Sequence, residues 1–178
     1  MDIRTRLEEG AQQLVVALTE SQFDLLLAYL TMIQKWNKAY NLVGTSNADE
    51  LVQKHLLDSL SIVPHIKISP VLDVGSGAGL PGIPLAICLP DISFTLLDSN
   101  GKKARFMRQV VMDLKLTNVE IVQTRVENYQ PSDAPKTVLA RAFAPVDKAL
   151  HMLSAVCAPQ GQIQLMIGTK PDELPLVS

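Results

Sequence analysis

Cysteine and histidine are scarce in this sequence, and neither occurs in a pattern typical of a metal site. The 178 residues include two cysteines and three histidines, with no Cys-x-x-Cys and no His-Glu-x-x-His spacing. Cys88 and Cys157 each lie in an apolar run, without the charged neighbours that activate a thiolate. We therefore expect both cysteines to be packing residues, and we expect no metal.

Long apolar runs and an excess of basic charge are also missing. No stretch reaches the roughly 18 apolar residues that spanning a bilayer requires. The first six residues, MDIRTR, lack the apolar core of a signal peptide. The formal net charge is -2, so a polyanionic partner has to be met by a local basic patch. These features predict a cytoplasmic protein that does not associate with membranes.

Hydrophobic residues make up 47% of the chain, enough for the core of one compact domain, and their spacing changes once. In the first third they recur at helical spacing. Thr19 and Gln22 form a capping-box pattern at one helix start, and Ser46 or Asn47 caps a further helix running roughly from 48 to 62. We predict an N-terminal helical cap over residues 1–68.

The second region, residues 69–178, alternates short apolar runs with helical stretches. This alternation predicts an α/β, Rossmann-like fold with a parallel sheet wrapped by helices. No flexible linker separates it from the cap, so we expect the two parts to pack as one unit. Strands are predicted at 71–74, 93–97, 119–123, 137–140 and 162–167, and helices at 83–89, 102–116 and 146–157.

A glycine-rich turn follows the first predicted strand. Gly75, Gly77 and Gly79 stand where the backbone has to turn sharply, approach a ligand and admit the next helix, and each demand favours a residue without a side chain. The turn is therefore predicted to seat a cofactor. Read from Gly77, the segment also fits the G-x-G-x-x-G dinucleotide fingerprint, whereas read from Gly75 the fingerprint fails at Leu80.

Two acidic residues bear on the choice of cofactor. Asp73 lies inside an apolar strand, and a buried carboxylate is destabilising by several kcal/mol unless it is paired or hydrogen-bonded. The Asp73 carboxylate can accept from the amides of the turn or from the ammonium group of S-adenosylmethionine. Its need for a partner favours S-adenosylmethionine as the cofactor, and the alternative is that the amides of the turn satisfy it wholly. Asp98 lies about 20 residues past the glycines, where an acceptor for two ribose hydroxyls is expected; the alternative is a cap for the next helix.

Four strings occur in this order along the chain: KWNKAYNL at 35–42, HLLDS at 55–59, DVGSGAGLPGIP at 73–84 and RAFA at 141–144. Together they resemble the bacterial ribosomal RNA small-subunit methyltransferase G family, also called glucose-inhibited division protein B. The resemblance spans nearly the whole chain.

The resemblance implies a class I S-adenosylmethionine-dependent methyltransferase that methylates N7 of a guanosine in 16S ribosomal RNA. Its cofactor contacts would be Gly75, Leu80, Val126, Glu127 and Arg141. By itself Glu127 reads as a solvated loop charge, and Arg141 could hold the methionine carboxylate, hold an RNA phosphate or form an internal ion pair. The substrate would be 16S RNA or the 30S particle, and no feature requires an obligate protein partner.

RNA contacts are expected from local basic and aromatic residues. Lys102, Lys103 and Arg105 give one helix a basic character, although a solvated helix face explains each of them equally simply. His55 is an RNA contact or a hydrogen-bonded structural histidine, and Phe143 stacks on an unpaired base or belongs to the core.

Guanine N7 offers a free lone pair, so no general base is expected and catalysis would rest on positioning. A nicotinamide-dependent dehydrogenase and a non-catalytic RNA-binding or ribosome-assembly module remain as alternatives. The seven-stranded methyltransferase sheet should continue past residues 171–175, yet the sequence stops at Ser178. Either the protein is shortened or this sequence is part of a longer chain. The last strands of the sheet are thus expected to be missing here, which would leave an exposed edge on the fifth strand that invites self-association.

Overall fold

The computed structural model describes residues 2–141 and 144–168. Its N-terminal part is helical. The helix Glu20–Tyr40 and the helical stretch 48–60 both pack against the first helix, Ile3–Gln13. The segments are α1 (Ile3–Gln13), α2 (Glu20–Tyr40), α3 (Ala48–Leu51), a π-helical segment (Val52–Leu57), α4 (Asp58–Leu60) and a 3-10 turn (Val63–His65).

The predicted helix starts are confirmed. At the start of α2, the Thr19 hydroxyl accepts from the Gln22 amide at 3.2 Å, and the Gln22 side chain accepts from the Thr19 amide at 2.9 Å. At the start of α3 the cap is Asn47, whose side chain accepts from the Glu50 amide at 3.1 Å. Each cap satisfies amides that the helix leaves without an internal partner.

The further helix predicted from 48 to 62 differs in two details. It ends at Leu60, and its middle six residues are π-helical. Along this stretch Val52, Leu56 and Leu60, which are spaced four apart, are all buried. Apolar spacing alone cannot distinguish a π-helical segment from an α-helical one.

Within the described residues, the second part is a parallel sheet of five strands, β1 (Val71–Val74), β2 (Phe94–Leu97), β3 (Val119–Val122), β4 (Thr137–Arg141) and β5 (Gln162–Met166), in the spatial order β3-β2-β1-β4-β5. The predicted strands are confirmed to within one residue at each end, while the helices predicted at 102–116 and 146–157 end three residues earlier than expected, at Asp113 and Ser154. From β1 the chain first adds β2 and β3 on one side of β1, and it then adds β4 and β5 on the other side. The strand order therefore switches at β1. The elements are β1 (Val71–Val74), α5 (Gly82–Cys88), β2 (Phe94–Leu97), α6 (Gly101–Asp113), β3 (Val119–Val122), a 3-10 turn (Val126–Asn128), β4 (Thr137–Arg141), α7 (Val146–Ser154) and β5 (Gln162–Met166).

In the part of the chain that the structure describes, two hydrophobic clusters cover the two faces of this sheet. The larger contains Leu26 of the cap together with Ile83 and Phe106 of α5 and α6. The smaller includes Val138 and Leu153 on the opposite face. The cap therefore shares its core with one face of the sheet, while the proposed boundary between residues 68 and 69 stays a prediction.

Three features of the described residues bear on the remaining expectations. None of their helices is long and apolar enough to cross a bilayer. Cys88 and Cys157 are partly buried free thiols, and burial raises the pKa of the Cys88 thiol to about 12. In the described part of the sheet β5 pairs only with β4, and self-association through its edge stays a prediction.

Candidate active site

The glycine turn lies at the carboxyl edge of the sheet, between the ends of β1 and β2. Gly75, Gly77 and Gly79 have φ angles of 70°, 61° and 92°, which residues with a side chain rarely adopt. The amides of Gly75 and Ser76 both donate to the Leu97 carbonyl at the end of β2, at 2.8 and 3.0 Å. The turn is thus anchored to the neighbouring strand through its backbone.

Asp98 anchors the turn a second time. One carboxylate oxygen accepts from the Gly77 amide at 2.8 Å and the other from the Asn100 amide at 2.8 Å. The helix-cap alternative for Asp98 is wrong, because Asn100 is the residue that caps α6 by accepting from the Lys102 and Lys103 amides. Each oxygen of Asp98 keeps a lone pair for a further donor.

Asp73 lies beneath the turn and is fully buried. Its Oδ2 accepts from the Gly82 amide at 2.9 Å, while Oδ1 has no hydrogen-bond partner among the described residues. Burial raises the pKa of this carboxyl to about 7. The amides of the turn therefore satisfy only one of the two carboxyl oxygens of Asp73, contrary to the alternative that they satisfy both.

A cavity of about 280 Å³ opens beside the turn, past the ends of β1, β2 and β3. Four predicted cofactor residues line it: Gly75, Asp98, Val126 and Glu127. Val126 is buried and opens a 3-10 turn to which the Arg125 side chain provides no cap. The wall thus combines apolar surface with the carboxylates of Asp98 and Glu127.

The other residues of the predicted turn support the cavity rather than line it. Gly77 gives its amide to Asp98. A Cβ at Gly79 would lie 2.4 Å from Cγ1 of Ile83, so Gly79 is needed for close packing on α5. Leu80 is buried in the larger hydrophobic cluster.

Arg141 ends β4 and faces the cap. Its Nη2 lies 2.8 Å from Nδ1 of His55, and its Nη1 donates to Oδ2 of Asp58 at 3.4 Å. Arg141 lines a different cavity of about 440 Å³, together with Asp58 and Met166. The internal ion pair weighed for Arg141 and the hydrogen bond weighed for His55 are therefore both present.

Comparison with known proteins shows the family to which the chain belongs. The sequence model of the rRNA small subunit methyltransferase G family matches residues 22–174. This chain belongs to that family. The methyltransferase G of Pseudomonas syringae pv. tomato is 52% identical over 141 residues, which cover 79% of this chain and 67% of that protein. The one of Legionella pneumophila strain Lens is 46% identical over 170 residues, covering 96% and 80%.

Solved structures place this member of the methyltransferase G family in the class I fold. A putative S-adenosylmethionine-dependent methyltransferase from Methanococcus maripaludis aligns with a TM-score of 0.56 and 20% identity, covering 79% of this chain and 64% of that one. A methyltransferase from Geobacter sulfurreducens, in complex with S-adenosylhomocysteine, aligns with a TM-score of 0.52 and 16% identity, covering 76% and 53%. At these identities the likeness concerns the fold.

The residues of this methyltransferase G site fit S-adenosylmethionine. Asp98 is placed to accept from ribose hydroxyls at the cavity wall, and Val126 with Met152 offers apolar surface for a flat base. The buried, unpartnered Oδ1 of Asp73 is suited to a cationic or hydrogen-bond-donating ligand group. The cofactor contacts of individual residues, Arg141 among them, remain predictions.

Among the predicted RNA contacts, Lys102 and Arg105 are exposed and Lys103 is partly buried on the first turns of α6. The Lys102 ammonium lies 6.0 Å from the centre of the Tyr40 ring at the end of α2. These side chains are therefore available to a polyanion next to the glycine turn. Phe143 lies outside the described residues.

Sequence reasoning missed two residues of the methyltransferase G site. Tyr29 is fully buried in α2, and its hydroxyl donates to the Ala78 carbonyl in the glycine turn at 2.7 Å. Asp58 is the carboxylate that meets Arg141. A tyrosine in an apolar helical stripe is the only local signal for the first, and the HLLDS string contains the second without indicating its partner.

Proposed function

We propose that this chain transfers a methyl group from S-adenosylmethionine to N7 of a guanosine in 16S ribosomal RNA. The observation that carries the proposal is the cavity at the carboxyl edge of β1, β2 and β3, where the glycine turn, Asp98, Val126 and Glu127 meet in a member of the methyltransferase G family. A nucleoside ligand at this switch in strand order is what the fold favours.

When bound, S-adenosylmethionine supplies an electrophilic methyl group on a sulfonium. The chain's own residues supply position: Asp98 orients the ribose, Val126 and Glu127 flank the base, and Arg141 holds the methionine carboxylate. The N7 lone pair of guanine needs no deprotonation, so no side chain has to act as a base. Holding two reactants in attack geometry in a site with little water can contribute about 7 kcal/mol or more.

The RNA is proposed to approach over the first turns of α6. Lys102, Lys103 and Arg105 lie there, close to the turn, and phosphate contacts would position the substrate without reading its sequence. His55 and Phe143 were predicted as further RNA contacts. We also propose a cytoplasmic location, with 16S RNA or the assembled 30S particle as substrate.

Two measurements test the proposal. Titration calorimetry should show binding of S-adenosylhomocysteine and no binding of NAD, and the reverse result would favour a dehydrogenase. Mass spectrometry should then find 7-methylguanosine in 16S RNA of a deletion strain that carries this chain and none in the strain without it. Gly75→Asp, which puts a charged side chain at φ 70° on the cavity wall, should abolish the modification. Unchanged 7-methylguanosine in that variant would contradict catalysis at this site.

A further inference from the structure

The contact between the cap and the end of β4 depends on one proton. A guanidinium can only donate, so Nδ1 of His55, 2.8 Å from Nη2 of Arg141, has to accept. The imidazole is then neutral and carries its hydrogen on Nε2. A proton on Nδ1 would remove the acceptor and place a second positive charge against Arg141.

The surroundings of His55 favour this neutral form. Burial lowers the pKa of His55, and the charge of Arg141 lowers it further. Asp58 opposes this effect, and on the same helical stretch Lys54 lowers the pKa while Glu50 raises it. On α1, which packs against this stretch, Arg6 is paired with Asp49 at 3.2 Å.

The Arg141 guanidinium acts on the cofactor turn as well as on the cap. Its charge lowers the pKa of the buried Asp73 carboxyl and that of the Tyr29 hydroxyl, whose oxygen is bonded to Ala78 of the turn. The Arg141 side chain is 22% exposed, and within the described residues its guanidinium is hydrogen-bonded to two side chains, those of His55 and Asp58. Of these, His55 is close at 2.8 Å, while Asp58 is at 3.4 Å and half exposed.

We propose that His55 is a positioning residue, whose Nδ1 accepts from Arg141 and holds the guanidinium in the orientation that binds S-adenosylmethionine. This inference rests on the proposed function, because it takes Arg141 as a contact of the cofactor carboxylate. It replaces the RNA contact predicted for His55. It also makes cofactor affinity fall as His55 becomes protonated.

A purely structural role for His55 would dock the cap onto the sheet and leave cofactor affinity unchanged. The variant His55→Asn separates the two roles, because the Asn carbonyl oxygen lies close to the place of Nδ1 and accepts a hydrogen bond without titrating. His55→Ala removes the acceptor. His65→Asn is the matched control, since His65 is exposed in the 3-10 turn.

The affinity of the full chain for S-adenosylhomocysteine is measured by calorimetry from pH 5.5 to 8, with thermal unfolding followed in parallel. At pH 8, His55→Ala should bind roughly tenfold more weakly than wild type, the size of effect expected for one hydrogen bond to a charged group. His55→Asn and His65→Asn should stay within about threefold of wild type. As the pH falls below the usual histidine pKa of about 6.5, wild type should weaken relative to His55→Asn. Asp73 titrates in all of these proteins and cancels in that ratio.

Histidine NMR gives a readout that does not depend on ligand. His55 should show the Nε2–H tautomer at pH 7 and titrate below the ordinary histidine pKa, and Arg141→Ala should raise its pKa. An unchanged affinity in His55→Ala, or an Nδ1–H tautomer, would overturn this inference alone. Failure of the wild-type chain to bind S-adenosylhomocysteine would overturn the proposed function and this inference with it.

Discussion

The two sides of the candidate site are held by different kinds of contact. On the turn side, backbone amides of Gly75, Ser76 and Gly77 are fixed by Leu97 and Asp98, all within one strand-turn-helix-strand unit. On the cap side, the end of β4 is held by side chains that are 83 and 86 residues away in the sequence. The first kind of contact needs glycines with positive φ angles in a short segment of chain. The second kind forms only once the cap has docked on the sheet.

The largest predicted effect is on the turn side, where the buried Asp73 carboxyl should make stability depend on pH. Asp73 has a pKa of about 7 in the folded chain and 3.8 as its ordinary value. Its protonated form is therefore favoured by folding, so its contribution to stability is complete below pH 3.8 and is lost as the pH rises through 7. Relative to Asp73→Asn, which does not titrate, the wild-type free energy of unfolding should fall by up to about 4 kcal/mol between pH 4 and 8.

Urea unfolding across this pH range measures that difference. Arg141→Ala offers a control on the cap side: the Arg141 charge lowers the pKa of Asp73, so removing it should move the loss of stability to higher pH. Parallel curves for wild type and Asp73→Asn would show that Asp73 is not buried as described.

A second effect separates two glycines within the turn. In Gly79→Ala the new Cβ would lie 2.4 Å from Cγ1 of the buried Ile83, at φ +92°. In Gly77→Ala it would meet nothing nearer than 4.0 Å, at φ +61°. Unfolding free energies should therefore drop by about 3 kcal/mol for Gly79→Ala and about 1 kcal/mol for Gly77→Ala. Equal losses would mean that backbone strain alone, and not packing on α5, accounts for the loss of stability in Gly79→Ala.

A third effect concerns ligand affinity on the turn side. Asp98→Ala removes the acceptor of the Gly77 amide and of the ribose, and affinity for S-adenosylhomocysteine should fall about a hundredfold. Asn100→Ala, the matched control, removes the α6 cap outside the cavity wall. It should lower the unfolding free energy by about 1 kcal/mol with little change in affinity. Similar affinity losses in both variants would mean that disturbing the loop between β2 and α6, and not the loss of the Asp98 carboxylate itself, weakens binding.

The contrast also explains how much of the site could be predicted from sequence. The strand ends, the glycine turn and Asp98 follow from local patterns, because parallel strands bring their carboxyl ends to one edge. The π-helical segment could not be foreseen, since apolar spacing near four fits either helix type. The pairing of Arg141 with His55 and Asp58 required a tertiary contact that no local pattern encodes, although HLLDS and RAFA marked both ends of it.

The smallest effect tests whether the cap reaches the turn side as well. Tyr29 connects the two through its 2.7 Å bond to the Ala78 carbonyl, so Tyr29→Phe leaves that carbonyl without its donor in a buried place. Its unfolding free energy should fall by about 1 to 2 kcal/mol, and its affinity for S-adenosylhomocysteine should fall only slightly, because Gly77 remains held by Asp98. Tyr40→Phe, at an exposed position of the same helix, should change neither quantity. A large loss of affinity in Tyr29→Phe with unchanged stability would mean that the cap, rather than β2, sets the shape of the turn.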